Sequence, residues 1–228
     1  MNEPEKAAPA GPAKKTRLVI WILLGVVALV GVVWYLVFTA SKPEPAAAPV
    51  TSEAKLVREN NHRVTDPATE KAQLVEFLDF ECEACLAMQP VVEELKKEFG
   101  DRITFVNRYF PLPAHLNSAN AALAVEAAAQ QGKYEQMYAK MFETQAQWGE
   151  QKDSKAPLFR TYARDLGLDM EKYDADVASE ETKAVIRQDI TDGTALGVQG
   201  TPTFFLNGKI LNLTSEEDFR QQLSDASK

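Results

Sequence analysis

Cys82 and Cys85 are the only thiols in the 228-residue chain, and two residues separate them. Thiolates attack, leave and ligate metals, so this pair frames whatever chemistry the chain performs. At a helix N-terminus that spacing puts both sulfurs on one face, close enough to oxidise to a small-ring disulfide. The free N–H groups and positive dipole end of the helix favour a thiolate at Cys82. Three uses of such a pair compete. A structural bridge over so short a loop constrains the unfolded chain little. A metal site needs two more ligands, and His62 and His115, the only histidines, lie in separate segments without ligand spacing. A redox-active dithiol fits both the spacing and the strand-to-helix setting.

That setting is legible on both sides. AQLVEFLDF (72–80) is a nearly continuous apolar run, as expected for a strand covered on both faces. It leads into ECEACLAMQPVVEELKKEFG, where Leu86, Val91, Val92, Leu95 and Phe99 recur at helical spacing. Gly100 stops this helix, Lys96 and Lys97 suit its last turn, and Pro90 predicts a kink. ITFVNRYFPL (103–112) reads as a second strand. Helical stretches follow at 118–133 and in YEQMYAKMFETQ, PLFRTYARDLG and ETKAVIRQDITDGTALG. TPTFFLNGKILNL then gives two short strands joined at Asn207-Gly208, and a last helix starts near Thr214 or Ser215, capped by Ser215 with Asp218.

Glu76 interrupts the buried strand, and a buried carboxylate costs several kcal/mol (about 2–7 for a neutral polar group, more for a charge) unless paired or protonated. It is either the strand's outward-facing polar residue or a proton acceptor for Cys85. The second role requires the following helix to fold back over the sheet.

The formal net charge of −8 argues against a nucleic-acid partner, which needs a basic face. Residues 1–17 carry four bases against two acids. Leu18–Phe38 then runs 21 residues without a charge, enough to span a bilayer as a helix. A cleaved signal peptide is the competitor, but its apolar core is shorter and Phe38-Thr39-Ala40 lacks the expected small-residue site. The flanking bases put residues 1–17 in the cytoplasm and everything after Phe38 outside it, giving a single-pass cell-membrane protein. The Pro- and Ala-rich stretch 39–54 reads as a tether to a globular domain at 55–228.

VEFLDFECEAC, followed far downstream by GVQGTPTFFLNGK, resembles the thioredoxin superfamily and, more narrowly, its DsbA-like disulfide oxidoreductases. The resemblance runs from about Leu56 to Leu223. It implies an α/β thioredoxin fold with a helical insertion at about 114–197 and no cofactor. It makes Cys82 the exposed attacking sulfur, Cys85 the resolving one and Glu76 the buried acid. It implies a cis bond at Thr201-Pro202 facing the dithiol, with the Thr201 backbone offered to a substrate's extended chain; by pattern alone Pro202 is a strand-start proline. His115 lies in FPLPAHLNSANAALAVEAAAQQGKYEQMYAKMF, which looks like the start of the insertion in membrane-anchored relatives, and is read as structural.

Glu83-Ala84 stands between the cysteines where strongly oxidising relatives often have Pro-His. With Asp79 and Glu81 nearby, like charge is expected to raise the Cys82 pKa and weaken the oxidant. The resemblance implies insertion of disulfides into reduced exported proteins, with reoxidation by a membrane partner of the DsbB or VKOR type. The alternatives are a reductase or isomerase, and a tethered binding module whose disulfide is structural.

Overall fold

The computed structural model describes residues 54–228, together with Leu24, Leu29 and Gly31, which are helical. The expected span at 18–38 lies otherwise outside the described residues, as do residues 1–17 and all of the expected tether but Ala54. Among the described residues no helix is long and apolar enough to cross a membrane.

Five strands form one sheet in the order β1-β3-β2-β4-β5. Its centre is β2 (Ala72–Leu78), parallel to β3 (Ile103–Tyr109) and antiparallel to β4 (Thr203–Leu206). Strands β1 (His62–Arg63) and β5 (Lys209–Ile210) form the margins. Alternation along β2 decides what each face meets. Leu74, Phe105 and Phe204 pack against Val92, Leu95 and Phe99 of helix α1 (Glu83–Phe99) and against Phe219 and Leu223 of helix α7 (Glu216–Ala226). Val75, Phe77, Val106 and Phe205 pack on the opposite face with Phe110 and Val198.

Between β3 and β4 lie five helices: α2 (Ser118–Ala129), α3 (Tyr134–Trp148), α4 (Ala156–Asp165), α5 (Met170–Ala178) and α6 (Glu180–Ala195). Ala121, Ala124, Ala127 and Ala128 of α2 are buried against the aromatic side chains of its neighbours, including Tyr138, Phe142 and Phe159. Their small volume lets the helices approach closely. The insertion is fastened to the sheet by Arg108 of β3, whose guanidinium is fully buried between Asp189 and Asp192 of α6. Gly193 sits at the same contact, where a Cβ would come within 2.8 Å of the Phe110 ring and 2.9 Å of Phe77.

Several element ends differ from the sequence expectation. The first two long strands stop at Leu78 and Tyr109 rather than 80 and 112; Phe110 N–H still bonds Leu78 O, but Pro111 has no N–H to continue. Helix α2 ends at Ala129, before a turn at Gly132 with φ +70°. Helix α1 runs through Pro90 as one element. At the hairpin, Asn207 (φ 48°) and Gly208 (φ 84°) both take the left-handed conformation that a two-residue turn needs. Ser215 caps α7 by accepting from Asp218 N–H, while the Asp218 carboxylate reaches back to Thr214 N–H.

Candidate active site

The end of β2 hands the chain to α1 through Asp79, Phe80 and Glu81, and three side chains fix this junction. Asp79 Oδ1 accepts from Glu81 N–H, and its Oδ2 accepts from Leu112 N–H at 2.8 Å. The Glu81 carboxylate accepts from Asn117 N–H and Glu150 N–H. Gln145 of α3 donates to the carbonyls of Phe80 (2.7 Å) and Cys82 (3.0 Å). Asp79, Glu81 and Gln145 are all buried, so the loop carrying the first cysteine is held from the sheet side and from the insertion.

Cys82 is the N-cap residue of α1, with extended φ/ψ and no side-chain capping bond. Both cysteines are free thiols here; Cys82 is 8% exposed and Cys85 1%. The Cys82 thiol donates to the carbonyl oxygen of Thr201 at 3.3 Å, and the Thr201–Pro202 bond is cis. The two thiols are hydrogen-bonded to each other, and this bond is the main influence holding Cys82 low. Partial burial opposes it, and Thr201 and the N–H groups of Cys85 and Ala84 reinforce it, leaving Cys82 at about 5. Cys85 is pushed strongly the other way, first by burial, then by the bond to Cys82 and the charge of Glu76, although Asp79 N–H points at its sulfur from 3.5 Å.

The helix start favours the Cys82 thiolate as expected from sequence, and the nearby acids oppose it less than their number suggests. Asp79 and Glu81 are buried and engaged by N–H donors, and Glu83 is exposed to solvent. Hydrogen bonds made directly to the sulfur outweigh these more distant charges.

Glu76 is 4% exposed and shares a face of β2 with Leu74, the face that α1 covers. The helix therefore does fold back over this acid. Burial, with the charge of Glu93 and against that of Lys96, raises its pKa to about 8. Its Oε2 is buried without a hydrogen-bond partner. Glu76 lies in register with Asn107 of β3, beside a cavity of about 290 Å³ lined by Asn107, Glu93, Lys96 and Tyr134.

The structure thus brings Cys82, Cys85, Thr201 and Pro202 together, with Glu76 behind them under the helix. Sequence reasoning missed Gln145, Asp79 and Glu81 as holders of the loop. The only local signal was the presence of two acids in an otherwise apolar strand end.

A family model described as Thioredoxin matches residues 61–225. Among solved structures, a thioredoxin-like oxidoreductase from Silicibacter pomeroyi DSS-3 is 27% identical, with a TM-score of 0.62 over 77% of this chain and 94% of that one. Wolbachia pipientis alpha-DsbA1, 18% identical, shares the fold with a TM-score of 0.63 over 75% of this chain and 92% of its own. A Mycobacterium sp. (strain KMS) protein named Na(+)/H(+) antiporter NhaA 1 is 34% identical over 206 residues, 87% of this chain. The chain spans only about a third (32%) of that relative's length. The chain belongs to the thioredoxin family, with a DsbA-like helical insertion in its fold.

Proposed function

We propose that the chain is a thiol–disulfide oxidoreductase that introduces disulfides into exported proteins, working outside the cytoplasm and tethered by residues 18–38. The observation that carries this reading is the asymmetry of the pair, with Cys82 held at about 5 while Cys85 is pushed up. One sulfur is a good leaving thiolate at neutral pH and the other is kept protonated.

The chemistry begins with the Cys82–Cys85 disulfide. A substrate thiolate attacks Cys82 Sγ, the Cys82–Cys85 bond breaks, and Cys85 leaves and takes up a proton. Glu76, protonated up to a pH of about 8, is suited to supply that proton. A second substrate thiolate attacks the substrate sulfur of the mixed disulfide and expels Cys82 as a thiolate. The substrate has lost two electrons and the enzyme is left as the dithiol. A membrane partner of the DsbB or VKOR type restores the disulfide. The Thr201 backbone beside Cys82 offers hydrogen bonds to an extended substrate segment.

A stabilised thiolate stabilises the reduced form and makes the disulfide more oxidising. A value of about 5 falls between about 7 for thioredoxin and about 3.5 for DsbA. This supports an oxidase weaker than the strongest DsbA proteins. The antiport named for the curated relatives is not carried over, because the match covers about a third (32%) of their length.

The test is oxidative refolding of a reduced protein, with the redox potential of residues 54–228 measured alongside. The oxidase reading expects a potential well above the approximately −270 mV of thioredoxin and complete loss of refolding activity in Cys82→Ser. A potential near thioredoxin's makes the protein a reductase. Wild-type activity no higher than that of Cys82→Ser leaves only a binding module.

A further inference from the structure

His115 is fixed at the site by Asp79. Its Nδ1 lies 2.7 Å from Asp79 Oδ2, the same oxygen that accepts from Leu112 N–H, and its own N–H bonds Leu112 O at 3.0 Å. Asp79 is 1% exposed, and its backbone touches both halves of the dithiol. Its carbonyl accepts from Cys82 N–H at 3.2 Å, and its N–H points at Cys85 Sγ. One residue therefore grips the imidazole with its side chain and the two cysteines with its main chain. The other histidine, His62, is engaged elsewhere, stacked on Tyr134 and bonded to Glu126.

We propose that His115, held by Asp79, is a positioning residue that supplies the positive charge opposite the Cys82 thiolate, stabilising it as it is expelled from the mixed disulfide. This rests on the oxidoreductase reading and deepens it. The imidazole is partly buried, which by itself disfavours the cation, but the bond to Asp79 and the charges of Asp79, Cys82 and Glu81 override burial and raise its pKa. The groups facing it are acidic: Asp79 and Glu81 from the junction and Cys82 from the head of α1. Coupling between two sites is reciprocal, so a thiolate that favours the imidazolium is favoured by it to the same degree. The Glu83-Ala84 pair between the cysteines carries no cation, so this charge comes from the loop that leads into the insertion.

The test uses the domain in both redox states. In the wild type, the imidazole of His115, followed by NMR, is expected to titrate at higher pH in the dithiol than in the disulfide, where no thiolate exists. His115→Asn keeps a donor for Asp79 but cannot take the charge. It is expected to melt as the wild type does, yet show a roughly two- to fivefold lower Cys82 alkylation rate at pH 5 (about half a unit to one unit of thiol acidity) and a more reducing potential. A His115 that titrates identically in both states, or a His115→Asn variant with unchanged Cys82 titration, overturns the proposal. Failure of the underlying reading is distinguishable: wild-type Cys82 would then titrate near an ordinary thiol, at about 8.5, and exchange no disulfides.

Discussion

Arg108 donates twice to Asp189 Oδ1, from Nε at 2.9 Å and from Nη2 at 2.6 Å, joining β3 to a helix 81 residues later in the chain. The same guanidinium reaches Asp192 Oδ2 and the carbonyls of Lys55 and Leu56. Arg108→Met leaves the carboxylates of Asp189 and Asp192 without this partner. The expected loss is about 3–5 kcal/mol, read from urea unfolding of residues 54–228. Burial opposes ionisation of Asp192, but bonds from Arg58 and Arg108 prevail and hold it at about 2. Its contribution is therefore present above about pH 4 and is lost as pH falls through about 2.

Thr201 Oγ1 is buried, and the Thr201 side chain is among the groups that hold Cys82 low. In the dithiol the sulfur donates to the Thr201 carbonyl; once ionised it needs donors instead, and this hydroxyl can turn to it. Thr201→Val is expected to move the Cys82 midpoint upward from about 5 and slow iodoacetamide labelling at pH 5. Folding stability changes little, because valine keeps the shape of the replaced side chain. A midpoint unchanged by the substitution would show that the backbone donors suffice.

Glu76 titrates at about 8 in the folded chain, against a model-peptide value of 4.5. The folded state therefore holds the proton more tightly. This contribution is complete below about pH 4.5 and is lost as pH rises through about 8, by about 5 kcal/mol in total. Glu76→Gln removes this contribution, so in the disulfide form, where Cys82 does not titrate, the loss of stability between pH 4.5 and 8.5 should be smaller for the variant than for the wild type. The same variant slows reduction of the Cys82–Cys85 disulfide, since Cys85 loses its proton source.

Gly193→Ala drives a methyl group into Phe110 and Phe77 at the seat of the insertion. Overpacking of this kind costs about 1–3 kcal/mol, and thermal unfolding will show it as a lowered midpoint. The active-site thiols should keep their reactivity in the surviving folded fraction.

The elements that carry the sulfurs were legible because their signals are local. The apolar run 72–80, the cysteine at a helix start, Gly100 and Asn207-Gly208 each speak within a few residues. Strand β1 was not legible, since two residues, His62 and Arg63, show no alternation. Helix α5 was missed because Tyr173 is its only buried residue and its remaining positions are mostly polar or small. The site's polar scaffold was misread for a different reason. Asp79, Glu81, Arg108 and Asp189 look like ordinary surface charges until the fold brings their partners from 33 to 81 residues away. The thiolate at Cys82 was legible from the helix start, but the opposing acids were given too much weight, because a count of them ignores which are already engaged.

Both margins of the sheet are strands of two residues, His62–Arg63 on one side and Lys209–Ile210 on the other. A foreign polypeptide laid along either border finds only a couple of rungs before the ladder gives out, so lateral stacking of copies has no template to propagate.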